Sequence, residues 1–210
     1  MDEIAARAWL DALPDVSRET HEKLDRLVAL LAEENAHQNL LSASTIPHIL
    51  ARHIVDSAQL IPLANRSDGR WLDLGSGAGL PGLVIATLVE GLVTLVESRR
   101  LRCAWLSRAV DLLDLTNVRV EHKRLELLSD ARFDVITARA FAPLPKLFTL
   151  AHRFCTEETL WILPKGRGAA EELESVADTW HGVFHMETSV TDPDSAIIVA
   201  RNVRPKGRRR

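Results

Sequence analysis

The stretch Arg70 to Gly82, RWLDLGSGAGLPG, constrains the fold of this chain more than any other. Trp71, Leu72 and Leu74 form an apolar run of the kind that a strand buried in a parallel sheet shows. Gly75, Gly77 and Gly79 follow at once, and the absence of side chains there lets a ligand approach the backbone closely. Pro81 suits the first turn of a helix, where its missing N–H would be unpaired anyway. GLVIATLVE then continues as an apolar helix against the sheet. Strand, glycine turn and helix form one unit with room for a nucleotide.

Gly77, Gly79 and Gly82 fit the G-x-G-x-x-G dinucleotide pattern, and they also fit a plain tight turn. Two acids favour a different ligand. Asp73 stands at the end of the strand, where a carboxylate can accept a hydrogen bond from a cationic amino group. Glu97 ends the next apolar run, LVTLVE, where doubly wound folds present an acid to ribose hydroxyls. S-adenosylmethionine has an amino group, a ribose and no pyrophosphate. A methyl-donor site is therefore favoured over a dinucleotide site.

The 210 residues, 46% of them hydrophobic, suffice for one sizeable domain with an appendage. No apolar run is long enough to span a bilayer, and Asp2, Glu3 and Asp11 stand where a signal peptide wants basic residues, so a cytoplasmic location is expected. Cys103 and Cys155 lack C-x-x-C spacing and read as free thiols. His181 and His185 have helical metal spacing, but Gly182 and a strand pattern intervene, and no metal is expected. The net charge of −3 is unevenly spread. Acids crowd the first 34 residues, whereas Arg99, Arg100, Arg102, Lys123, Arg124 and the tail RPKGRRR offer basic surface to a polyanion.

Ser17 reads as an N-cap ahead of Leu24, Leu27, Val28 and Leu31, which share one helical face. After a break at 39–45, helical spacing resumes over 46–63. Its Arg52, His53, Asp56 and Ser57 are placed on a helix surface closing over the cleft, not in a hydrolase triad. Strands are expected at 70–74, 92–97, 118–121, 133–138, 159–163, 183–188 and 196–202. Helices are expected at 82–90, 99–113, 145–154 and 169–177, with a short turn after Lys123. This alternation predicts an α/β fold with a mostly parallel, doubly wound, seven-stranded sheet that ends in an antiparallel hairpin. The division expected is a helical extension over 1–67, a Rossmann-like domain over 68–204 and a basic tail over 205–210.

In such a sheet the ligand lies outside the carboxyl ends of the strands, where strand order reverses. That rule selects the glycine turn, Glu97, Leu125 and Glu126, Arg139, and Lys165. Arg139 ends the apolar strand FDVITAR, so its guanidinium must leave the core at the rim, towards a carboxylate or a phosphate.

The motifs DLGSGAGLPG (73–82), RHIVDS (52–57), ARAFAPL (138–144) and PKG (164–166), in this order, resemble those of the RsmG (GidB) family. The resemblance runs from Leu24 onward and implies a class I S-adenosylmethionine-dependent methyltransferase. It further implies that the methyl goes to N7 of a guanine in the 530 loop of 16S rRNA, the partner being the RNA or the 30S particle and the enzyme a monomer. Donor contacts are implied for Gly75, Leu80, Leu125, Glu126 and Arg139, and, by analogy with the wider class, for Asp73 and Glu97; Gly77 and Gly79 are expected at the donor as members of the glycine turn. Arg139 and Lys165 are expected to position the substrate, and Phe141 to stack on the base. The chain departs from the family pattern at Leu41 and Ala138. The rival readings are a small-molecule methyltransferase and an RNA-binding protein with a decayed donor site.

Overall fold

The computed structural model describes residues 1–14 and 16–207. Two N-terminal helices come first, α1 (Glu3–Asp11) and α2 (Arg18–Asn35). Ser17 caps α2 by accepting from the Thr20 N–H at 3.1 Å, and Leu24, Leu27 and Leu31 are buried on its inner face. The helical pattern over 46–63 is realised in pieces: a 3-10 stretch (Ala43–His48), a π-helical turn (Leu50–Val55), and the short helices α3 (Asp56–Ala58) and α4 (Leu60–Ala64). The Glu3 carboxylate bonds the N–H groups of Leu50 and Ala51, and so fastens α1 to the start of the π turn. Such π-helical turns are rare and occur frequently at functional sites.

The Rossmann-like part runs β1 (Arg70–Leu74), α5 (Gly82–Leu88), β2 (Leu92–Glu97), α6 (Arg100–Leu112), β3 (Val118–His122), β4 (Val135–Thr137), α7 (Leu144–Ala151), β5 (Leu160–Lys165), α8 (Ala169–Val176), β6 (Trp180–Thr188) and β7 (Ala196–Pro205). The order across the sheet is β3-β2-β1-β4-β5-β7-β6, parallel as far as β5, with β7 antiparallel to both β5 and β6. The direction of strand addition reverses between β1 and β4, which locates the ligand crevice. Trp71 and Leu95 pack on one face with the N-terminal helices, α5 and α6. Leu72, Leu74, Phe148 and Trp161 pack on the other, against α7 and α8.

Several boundaries differ from the sequence reading. The strand expected at 133–138 is only Val135–Thr137, because Phe133 leaves the ladder to meet Phe154 edge-on. β5 continues through Pro164, which the ladder accepts because the pairing with β4 ends at Ile162. β6 begins three residues early, at Trp180, whose ring packs on Phe148 at 5.4 Å; an irregularity between His181 and Val183 absorbs the offset. Pro205, expected to open the tail, still pairs with Trp180, and the Lys206 N–H donates to the Thr179 carbonyl. The remaining arginines, at 208–210, lie outside the described residues.

Candidate functional site: two clefts that share one wall

The glycine turn forms because its backbone needs it to. Gly75, Gly77 and Gly79 have φ of +67°, +54° and +90°, values that a side chain resists. The Gly75 N–H bonds the Val96 carbonyl at 2.8 Å, tying the turn to β2. The Glu97 carboxylate fastens it further: Oε2 accepts from the Gly77 N–H at 3.0 Å, and Oε1 from the Ser98 and Arg99 N–H groups. Glu97 therefore shapes the loop as well as ending the strand.

Two clefts open at the carboxyl ends of the strands. The first, of about 420 Å³, gathers Gly75, Glu97, Leu125 and Glu126, as expected, and adds Arg99, Arg102, Arg124 and Lys146 at its rim. The second, of about 550 Å³, holds Arg139 and Lys165 together with Arg52, Asp56, Glu172 and Asp192. Ala140, Phe141 and Ala142 line both. Ala140 takes φ of +52°, which turns the chain sharply after β4. A donor in one cleft and an acceptor in the other would meet at this wall.

Four predicted residues are not brought to a cleft surface: Gly77 is buried with its N–H committed to Glu97, and Leu80, Gly79 and Asp73 are buried as well. Leu80 is buried in the core, and Gly79 serves packing, since a β-carbon there would lie 2.3 Å from Leu83 Cδ1. Asp73 is 1% exposed and faces Gly82, where a β-carbon would lie 2.6 Å from Asp73 Oδ2. Neither Asp73 oxygen has a hydrogen-bond partner among the described residues, and the same holds for Thr137 Oγ1, which is in register with Asp73 across β1 and β4. Burial pushes the Asp73 carboxyl up to about 6, against the pull of the nearby Ser76 hydroxyl and then of the Arg139 charge. An unpartnered buried acid beside a glycine cradle suits a cationic amino group, so the residues present fit S-adenosylmethionine.

In the second cleft every cation has a carboxylate. Arg52 pairs with Asp192 at 3.4 Å, Arg139 with Asp56 at 3.6 Å, and Lys165 with Glu172 at 2.8 Å. The cleft is thus neutral in sum and rich in both donors and acceptors. Arg139 Nη1 also donates to His53 Nδ1 at 3.2 Å, and since a guanidinium only donates, the imidazole proton sits on Nε2, facing Thr45 Oγ1 at 2.9 Å. Burial, then the charges of Arg139 and Arg52, push His53 down to about 4. Burial likewise lowers Arg139, and the charges of Asp56 and Asp73 oppose that. The sequence reading placed 52–57 over the cleft but missed Glu172 and the loop 189–195. Thr191 from that loop donates to Asp56 Oδ1 at 2.9 Å. Nothing local in TDPDS or EELES announces a cleft, because the sheet order alone brings them there.

Fold and crevice define the class: this is a class I S-adenosylmethionine-dependent methyltransferase. Among solved structures the chain is similar to MtNAS, in a variant solved in complex with S-adenosylmethionine, with a TM-score of 0.61 and 18% identity over 96% of this chain and 84% of that one. It is also similar to a SAM-dependent methyltransferase from Aquifex aeolicus, with a TM-score of 0.58 and 16% identity over 74% of this chain and 92% of that one. At such identities the likeness speaks for the fold.

The model of the GidB family, rRNA small subunit methyltransferase G, matches residues 20–194. A ribosomal RNA small subunit methyltransferase G from Novosphingobium aromaticivorans is 51% identical over 202 residues, covering 95% of this chain and 88% of that protein. Another from Zymomonas mobilis is 52% identical over 209 residues, covering 96% and 94%. The chain belongs to the rRNA small subunit methyltransferase G family. Among the described residues no group of His, Cys, Asp or Glu could hold a metal ion, and no helix is long and apolar enough to cross a membrane.

Proposed function

We propose that this enzyme transfers the methyl group of S-adenosylmethionine to N7 of a guanine in the 530 loop of 16S rRNA, acting in the cytoplasm on the RNA or the 30S particle as a monomer. The observation that carries the reading is the pair of clefts meeting at Ala140–Ala142, one built on the glycine turn and the other neutral and lined with paired charges. When bound, the donor supplies an electrophilic methyl on a sulfonium. Gly75, Glu97, Leu125 and Glu126 would hold its nucleoside end, with Asp73 and Thr137 left for its ammonium group.

Guanine N7 carries a lone pair and no proton, so the protein's task is positioning, and no base is required. The site agrees with that demand. His53 stays neutral and is engaged on both nitrogens, and Asp56 is committed to Arg139, Gln59 and Thr191. The N7 edge lies in the deep, narrow major groove of A-form RNA, which side chains cannot read, so a base splayed out of a loop is the fitting substrate. Phe141, which lines both clefts, would stack on such a base. The neutral second cleft suits a base better than a phosphate, and Arg139 or Lys165 can donate to guanine O6. Phosphates fit the cations at the first cleft's rim that have no ion-pair partner among the described residues.

The test is transfer of labelled methyl to 16S RNA and to 30S particles from cells lacking the protein, with mapping of the product. One N7-methylguanine in the 530 loop is the expected result. Incorporation elsewhere, or none despite donor binding, would refute the assignment.

A further inference from the structure

The second cleft contains three carboxylates, and their oxygens are almost all committed to the protein itself. Asp192 Oδ1 accepts from the Asp194 N–H, and its Oδ2 from Ser195 and Arg52. Asp56 Oδ1 accepts from Gln59 and Thr191, and its Oδ2 faces Arg139. Glu172 differs. Its Oε2 accepts both from Lys165 Nζ and from the Leu144 N–H, each at 2.8 Å, while Oε1 has no partner among the described residues. Lys165 in turn is 10% exposed as a side chain, and its ammonium also reaches the Ala142 carbonyl in the shared wall at 3.3 Å. The cleft therefore presents a held cationic donor and, beside it, one carboxylate oxygen free to accept.

We propose that Glu172 determines base identity: Lys165 Nζ donates to guanine O6 while Glu172 Oε1 accepts from the neighbouring N1–H. Guanine offers an acceptor and then a donor along that edge. Adenine offers a donor and then an acceptor, so each contact would turn repulsive and leave a buried charge unmatched. Reading the O6/N1 edge leaves N7, on the far side of O6, free to face the shared wall. Glu172 can serve both fold and recognition because its two oxygens are divided between them. The inference rests on the guanine reading given above and names the residue that enforces it.

The experiment compares 16S transcripts carrying guanine, adenine or 1-methylguanine at the modified position, with wild-type protein and with Glu172→Gln. Glutamine keeps an oxygen for Lys165 and the Leu144 N–H and places an amide donor where Oε1 stood. Wild-type protein should prefer guanine over adenine at least about a thousandfold and should reject 1-methylguanine, which lacks the N1 proton, about a hundredfold or more. Glu172→Gln should lose about tenfold to a thousandfold on guanine and little on adenine. Its preference should collapse, with donor affinity by calorimetry and melting temperature near wild type, and Glu172→Asp should restore part of it. An unchanged guanine-to-adenine ratio in Glu172→Gln overturns the proposal. If that variant fails to fold, the wild-type protein decides alone, since equal methylation of guanine and 1-methylguanine overturns the proposal as surely. A wild-type protein that methylates no guanine in this RNA would instead overturn the functional reading, and this inference with it.

Discussion

The ring of Phe141 rests against the α-carbon of Gly75, so that a β-carbon built there would lie 2.5 Å from Phe141 Cδ2. Gly75 also holds φ of +67°. Alanine at this position meets two obstacles at once, backbone strain of about 1 kcal/mol and an overlap that forces the ring aside at about 1–3 kcal/mol. Gly75→Ala is expected to lower the unfolding free energy by about 2–4 kcal/mol and methyl transfer by at least about a hundredfold, because the displaced ring is the wall between donor and acceptor. Urea titration and single-turnover rates check both. A variant with normal rates would show that the ring's place is immaterial.

Phe141 itself is expected to act on the RNA side. Stacking of a base on an aromatic ring contributes about 1–3 kcal/mol, so Phe141→Ala should raise KM for RNA about 5- to 150-fold. Donor affinity should stay within about threefold, since Glu97 and the glycine turn are untouched. The check is a steady-state KM for RNA beside calorimetric titration of the donor. A loss confined to donor binding would assign Phe141 to the other cleft.

The strands, their mostly parallel run with a final antiparallel hairpin, and the glycine turn could be read from the sequence because each has a local signature: apolar runs of strand length, closely spaced glycines, and regular alternation with helices; the order of the strands across the sheet has none. The divided helical segment over 43–64 could not. Its π turn depends on Glu3, far away in sequence, whose carboxylate takes the Leu50 and Ala51 N–H groups. The acceptor cleft was legible only by halves. Arg139 and Lys165 end strands and were found by that rule, and Asp56 by the helical segment expected over the cleft, whereas Glu172 and Asp192 reach them from a helix and a loop that only tertiary packing brings together.

His53 and Asp73 make opposing contributions to stability in acid. Folded His53 refuses a proton until about pH 4, whereas the unfolded chain accepts it near 6.5, so this residue's contribution is full above 6.5 and lost as pH falls to 4. Folded Asp73 takes a proton at about 6 and the unfolded chain only near 3.8, so its buried charge destabilises above 6 and that penalty is relieved as pH falls to 3.8. Each amounts to about 3 kcal/mol, and the two act with opposite sign. Asp73→Asn should therefore gain about 3 kcal/mol at pH 7, lose stability steeply between pH 6 and 4, and bind the donor weakly. His53→Gln should instead become more stable, relative to wild type, as the pH drops through the same window. Unfolding curves at pH 4.5, 5.5 and 7 decide the matter, and parallel profiles for all three proteins would contradict it.

Arg99, Arg102, Arg124 and Lys146 surround the first cleft and form no ion pair among the described residues, whereas Lys123 is held by Glu121 at 3.0 Å. S-adenosylmethionine carries a net positive charge, and the four cations around its cleft outnumber the cleft's own acids, Glu97 and Glu126, which favours an anion joining them there. RNA phosphates supply it. Each phosphate contact on a single strand contributes about 0.7 to the slope of log affinity against log salt. Removing Arg102 and Arg124 together should lower that slope by about 1.4 and weaken RNA binding at low salt, while binding at high salt converges on the wild type. Donor affinity without RNA should hold or rise, because two like charges leave the cleft. Filter binding over a salt series, beside donor titration, separates the two effects. An unchanged slope would mean that the RNA backbone passes elsewhere on the surface.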